Sequence, residues 1–343
     1  MRFTGTAIRL RIMCGACALA VAFGAMPGAA RADDKSFVMK ITLPTINDAP
    51  HQYGKNLAAA VEKNSGGRIK GEVYPASQLG SIPRQIEGVQ FGSIQVAVIP
   101  PEFFVGLDER FEVMTAPGLV STIDQAARIA QDPAVQKLML GLGANKGLHG
   151  AGLFIAQPSS IITRTGIRHL ADFKGKKIRI VASKFQSEAL ERLGATPVAM
   201  TLADVLPALQ QGAIDAAIAG IAVYANMQYQ DASKYVTETG QPFIFLAVEL
   251  SQKWFDTLPK DLQDIVLADV AKEAKAINPW AIDYYETSRK NWQKQGGELI
   301  SLPPDEQSAM METLLSVGED VSKSKPDLHA AYAEVVAAAK RDR

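Results

Sequence analysis

KKIRIVASKFQSEALERLGATPVAMTLADVLPALQQGAIDAAIAG, residues 176–220, decides the architecture. Ile178, Ile180 and Val181 give Lys177 to Val181 a β-branched character, which predicts a mostly buried strand. Phe185 to Leu193 then carries helical spacing and stops at Gly194. Thr196 to Met200 is a second short strand. Thr201 with Asp204 forms an S/T-x-x-D/E start signal for a helix that Gly212 terminates, although Pro207 removes one hydrogen bond early in it. Ile214 to Gly220 reads as a third strand, built of small residues. Strand, helix, strand, helix, strand is the pattern of an open, largely parallel sheet covered by helices.

The same alternation runs through the first part of the chain. Val38 to Leu43 reads as a strand, Asn47 to His51 as a polar loop, and Tyr53 to Asn64 as a helix stopped by Gly66-Gly67. Ile69, Gly71 and Val73 alternate with polar neighbours as in a strand, Gln85 to Gln90 is helical, and Ile94 to Ile99 is a strand closed by Pro100-Pro101. Two such series predict two α/β lobes in preference to one large sheet. Leu262, Ile265, Val266, Val270, Ala274 and Ile277 hold helical spacing inside Lys260 to Gln295, before Gly296-Gly297. One helix of that length would run about 50 Å at 1.5 Å per residue. It would serve as a brace across both lobes, kinked near Pro279; two helices meeting at Asn278-Pro279 is the alternative. Asp327 to Lys340 reads as a last amphipathic helix.

The start of the chain predicts export. Arg2, Arg9 and Arg11 precede a short apolar run from Ile12 to Met26, and Ala30-Arg31-Ala32 supplies small residues before Asp33. A signal peptide over residues 1–32, cleaved after Ala32, accounts for all three parts and predicts a periplasmic protein. The run is shorter than the roughly 20 apolar residues of a membrane anchor. Both cysteines, Cys14 and Cys17, lie in the leader, so the mature chain has no thiol or disulfide chemistry. Taking 32 residues from 343 leaves 311, enough for about two domains. The leader removes four arginines and no acids from a balance of 36 against 36, so the mature net charge is −4. That is not the basic footprint of a nucleic-acid binder. No later apolar run approaches the length of a membrane span.

Catalytic constellations are sparse. His51, His149, His169 and His329 are scattered and show no metal-ligand spacing, so neither a metal nor a cofactor is expected. There is no G-x-S-x-G elbow and no Walker phosphate loop, so a secreted enzyme is the weaker alternative. Arg179 is the leading candidate. It alternates with Ile178 and Ile180 near the carboxyl end of its strand, where open α/β sheets place ligands. A guanidinium matches a carboxylate two by two. A structural ion pair, or exposure beside Lys174, Lys176 and Lys177, is the competing account. Loop position adds Asn47, His51, Glu102, Gln157, Ser159 and Tyr224 as candidate substrate-binding residues. Phe103 and Asn226 occupy similar places. Trp254, Phe255, Trp280 and Trp292 are assigned to packing.

Blocks along the chain carry a resemblance. They are Tyr74-Pro75-Ala76-Ser77-Gln78-Leu79-Gly80, Gln85 to Gly92, Leu170 to Arg179, Leu193 to Val198, Ala208 to Asp215, and Leu258-Pro259. In this order the chain resembles the solute-binding proteins of TRAP transporters, the DctP-like family. The resemblance implies a two-lobed, Venus-flytrap α/β fold in which a long helix braces both lobes. Lobe I would comprise 33–157 plus about 242–278, and lobe II 158–241 plus about 279–335. It also implies delivery of a small organic acid to membrane permease subunits driven by an ion gradient, without ATP. The arginine of the family's K-I-R motif, which pairs with the substrate carboxylate, falls on Arg179. An ABC-type receptor or a ligand-sensing partner of a membrane sensor is the alternative.

Three departures bear on the ligand. The family often reads R-V-P where this chain has Arg179-Ile180-Val181, and D-G-Q-E-N where it has Asp215-Ala216-Ala217-Ile218-Ala219. A second arginine of some sugar-acid binders is matched by Ser159. Fewer polar donors imply a smaller or more apolar acid than a sugar acid: short-chain, keto, dicarboxylic or aromatic.

Overall fold

The computed structural model describes residues 36–342, and the expected leader and its cleavage point lie outside the described residues. Ten strands are present among them: β1 Phe37–Thr42, β2 Ile69–Tyr74, β3 Val96–Ile99, β4 Leu148–Thr163, β5 Lys177–Ile180, β6 Thr196–Ala199, β7 Ala216–Gly220, β8 Tyr235–Thr237, β9 Phe243–Ser251 and β10 Glu298–Ile300. Their order is β2-β1-β3-β9-β4-β7-β5-β6, with β8 beside β4 and β10 beside β8. Parallel groups flank a central antiparallel pair, β9 and β4.

β4 joins the two lobes. It pairs with β9 as far as Pro158, then with β7 from Ser159, where Ser159 faces Gly220. The lobes expected from sequence are therefore continuous in hydrogen bonding through one shared 16-residue strand. Gln157 and Ser159 lie within that strand and not in the loop expected of them. The interior glycines and Pro158 of this segment are the usual marks of a break. Here two bulges, at Gly150/Gly152 and Ile155/Gln157, absorb them. At the second bulge the Ile155 N–H donates to Oδ1 of Asn278 at 3.3 Å.

The long helix is continuous from Lys260 to Lys294 and runs through Pro279. Leu262, Val266, Val270, Ala274, Ile277 and Ala281 pack against Met39, Leu57, Val248 and their neighbours. Near its far end Trp292, fully buried, packs with Leu209, Ile214 and Tyr224. One apolar stripe thus spans two cores, with about 1.5–3 kcal/mol gained for each large side chain buried. The first helix starts earlier than the spacing of Leu57 and Val61 implies. It covers Ala49–Asn64, capped by Asp48, with Pro50 in the first turn. Gly71 of β2 lets that helix sit close, because a Cβ there would lie 2.6 Å from Cα of Ala58.

Candidate functional site

The carboxyl ends of β3 and β5, the β4 bulge and the end of β7 converge on a cavity of about 680 Å³ measured out to its mouth. Fourteen of its 21 lining residues are apolar or glycine, among them Phe103, Leu202, Ile244 and Leu246. The seven polar ones are Thr45, Asp48, Glu102, Gln157, Ser159, Arg179 and Gln186. Such a chamber suits a mostly apolar small molecule held by a few directed polar contacts.

Arg179 is 2% exposed although it bears a full charge. Its Nε donates to the carbonyl of Met200 at 2.9 Å and its Nη1 to that of Ile218 at 3.0 Å. Among the described residues Nη2 is buried and has no hydrogen-bond partner. Among the described residues no acid forms an ion pair with it, and at 2% exposure neither competing account, structural pairing or exposure, describes it. Burial lowers the guanidinium pKa, and Tyr224, Tyr229 and Glu102 partly offset this. A buried cation with two donors fixed on carbonyls and a third unpaired has the chemistry to meet an anion with its geometry already set.

Gln157, on β4 beside Arg179 in the wall, accepts through Oε1 from the Ala222 N–H at 3.1 Å. This leaves its amide nitrogen directed elsewhere. Gly220 makes room for it: a Cβ there would lie 2.2 Å from both Cδ and Nε2 of Gln157. Glu102, 7% exposed, also lines the cavity and stands in a 3-10 turn that opens at Pro101. Burial raises its carboxyl to about 7, against weaker opposing effects of its own backbone N–H and the Arg179 charge. Asp48 is raised to about 6 by the same cause, while its hydrogen bonds oppose the shift.

The cavity brings together Arg179, Ser159, Gln157 and Glu102. Asn47, His51 and Tyr224 are not among its lining residues. The Tyr224 hydroxyl is directed at the carbonyls of Ala217 (2.8 Å) and Ser160 (3.0 Å). His51 Nδ1 accepts from the Asn47 N–H at 2.9 Å, and burial keeps this imidazole's pKa low, with a smaller effect from Lys55. Asn226 donates through Nδ2 to the carbonyls of Ile46 (3.1 Å) and Asn47 (2.9 Å), and its Oδ1 accepts from the Tyr284 hydroxyl at 3.1 Å. These contacts tie the loop after β1 to the far side of the cleft. Asp48, Gln186 and Gly220 escaped the sequence reading. The capping position of Asp48 was a usable signal; nothing local marks Gln186 or Gly220.

A two-lobed α/β frame around a buried, preorganised cation defines a solute-binding protein. The chain belongs to the bacterial extracellular solute-binding protein family 7, DctP, which matches residues 43–324. It is 26% identical over 317 residues to the C4-dicarboxylate-binding periplasmic protein DctP of Rhodobacter capsulatus, covering 92% of this chain and 93% of that one. Its fold is similar to the sugar acid binding protein DctPAm from Advenella mimigardefordensis in complex with galactonate, with a TM-score of 0.85 at 20% identity over 91% of this chain and 100% of the other. A TRAP periplasmic solute-binding protein from Shewanella oneidensis with bound succinate superposes with a TM-score of 0.82 at 21% identity, covering 89% and 99%. Among the described residues no helix is long and apolar enough to cross a membrane.

Proposed function

We propose that this chain is a periplasmic receptor that captures a small organic acid through Arg179 and hands it to an ion-gradient-driven permease. The observation that carries the reading is the unpartnered Nη2 of Arg179, buried in a cavity otherwise dominated by apolar walls. A ligand carboxylate would take that donor, with Ser159 and the Gln157 amide as neighbouring contacts. The relatives named above carry succinate, galactonate and C4-dicarboxylates, all of them carboxylates, in their own descriptions. The apolar lining supports an acid with fewer hydroxyls than a sugar acid. Binding would draw lobe I (33–157 and about 242–278) onto lobe II (158–241 and about 279–335), because contacts from both walls favour the closed state. The Asn226 bridge to the Ile46-Asn47 loop would help to hold that closed state. No bond in the ligand is made or broken, and no cofactor takes part.

Calorimetric titration of ligand-stripped protein with a panel of small acids tests this. One class should bind one to one. Arg179→Ala should weaken it about 10- to 150-fold, the effect of losing a charge-assisted hydrogen bond worth about 1.5–3 kcal/mol. Equal affinity in the variant removes Arg179 from the site, and a sugar acid binding tightest overturns the apolar-ligand reading.

A further inference from the structure

The cavity holds more acceptors than a plain carboxylate can use. Arg179, Ser159 and Gln157 bring donors to its lining. Elsewhere on the lining stand Glu102 and Gln186, both more than nine-tenths buried. Among the described residues Oε1 of Gln186 has no hydrogen-bond partner. The Glu102 carboxyl accepts from its own backbone N–H and feels the Arg179 charge. Asp48 differs from these two, because its side chain caps the first helix. Burying an acceptor without a donor costs about 1–3 kcal/mol, and more when the group is charged. Oε1 of Gln186 does not recover that cost from the fold, and the buried Glu102 carboxyl meets its own backbone N–H.

Resting on the receptor reading above, we propose that the ligand is an acid bearing a hydrogen-bond donor, an ammonium or a hydroxyl, beside its carboxylate, and that Glu102 and Gln186 receive that donor. The carboxylate takes Nη2 of Arg179, the donor group turns to the acceptors, and an apolar remainder lies along Leu202, Ile244 and Leu246. A plain or 2-oxo acid presents only acceptors. It satisfies the arginine and leaves Glu102 and Gln186 as they were. Small amino acids and 2-hydroxy acids with apolar side chains are the substrate class that fits both the donors and the acceptors.

Two matched series separate these chemistries. One is leucine, 2-hydroxy-4-methylpentanoate, 4-methyl-2-oxopentanoate and 4-methylpentanoate; the other is phenylalanine, 3-phenyllactate, phenylpyruvate and 3-phenylpropionate. Titrated against the full mature chain, the amino or hydroxy member of at least one series should bind about tenfold or more tighter than its oxo and unsubstituted partners. Glu102→Gln keeps an acceptor but no charge. It should abolish the preference for an ammonium and retain most of that for a hydroxyl, which tells the two donors apart. Gln186→Leu is the second variant and should shrink the preference whichever donor is used. Folding of each variant is checked by its melting curve. Tighter binding of an oxo or unsubstituted acid in an Arg179-dependent manner overturns this inference and leaves the receptor reading standing. Binding that ignores Arg179 removes both, and binding of none of the eight overturns the assigned class.

Discussion

Gly220→Ala separates the site from the scaffold. Gly220 has φ −86° and ψ 151°, a conformation open to any residue, so alanine adds no backbone strain. The new Cβ would fall 2.2 Å from Cδ and Nε2 of Gln157, a distance no carbon tolerates, and the Gln157 amide must rotate away. That breaks the 3.1 Å bond from the Ala222 N–H and turns away the nitrogen proposed to meet the ligand. Losing the bond costs the fold about 0.5–1.5 kcal/mol. Restricting the unfolded chain by replacing glycine returns about 0.4–1 kcal/mol. Stability should therefore stay within about 1 kcal/mol of wild type, a shift of only a few degrees in Tm for a chain of this size. Affinity loses a ligand contact and gains a misplaced amide, about 1–2 kcal/mol or roughly 5- to 30-fold in Kd. Calorimetry with the tightest acid and a ligand-free melting curve measure both terms. Unchanged affinity would refute the role given to Gln157. A large fall in ligand-free Tm would show that the β4–β7 contact, and not the ligand, depends on this glycine.

Glu102→Gln should make stability less dependent on pH. The folded carboxyl sits near 7, above its ordinary value, so the folded state holds the proton more tightly than the unfolded chain does. Wild type therefore keeps its full stability below about pH 4.5 and loses some as pH rises through 7. The Gln variant should match wild type in acid and exceed it above pH 7 by up to about 3 kcal/mol, read from denaturant midpoints across pH. A gap that opens towards acid contradicts the burial of this group. Gly71→Ala should lower Tm through about 1–3 kcal/mol of overpacking against Ala58 while ligand affinity holds, and a selective affinity loss would count against the assignment. Asn226→Ala should weaken binding about 3- to 30-fold, from two hydrogen bonds, and raise the radius of gyration of the liganded protein in small-angle scattering. An unaltered liganded radius would show that closure does not use this contact.

Much of the frame was legible in residues 37–99 and 177–220 because period-two and period-3.6 patterns meet there with clear stops at Gly66, Gly194 and Gly212. Arg179 was legible for the same reason: alternation with Ile178 and Ile180 assigns its face. β4 was not. Its glycines and Pro158 mimic a loop, and only pairing with distant β9 and β7 makes a strand of it. Gln157 and Ser159 were named as site candidates for the wrong local reason. Asn47, His51 and Tyr224 share loop or strand-end positions with true lining residues. His51 and Tyr224 turn their polar groups to nearby backbone, and Asn47 engages through its own N–H and carbonyl, which position alone does not reveal. The long helix, by contrast, was legible as one element, and it runs unbroken from Lys260 to Lys294 through Pro279. Gln186 faces the cavity because Phe185 and Ala189 fill the core around it, a matter of helix rotation that one heptad leaves open.

The central claim is that an incoming carboxylate completes Arg179. A crystal structure of the mature chain with its tightest-binding acid tests it most directly. The account predicts a carboxylate oxygen about 2.7–2.9 Å from Nη2, with Nε and Nη1 still on the carbonyls of Met200 and Ile218. A ligand whose carboxylate lies elsewhere in the cavity, with Nη2 left facing water or a protein acid, would contradict it.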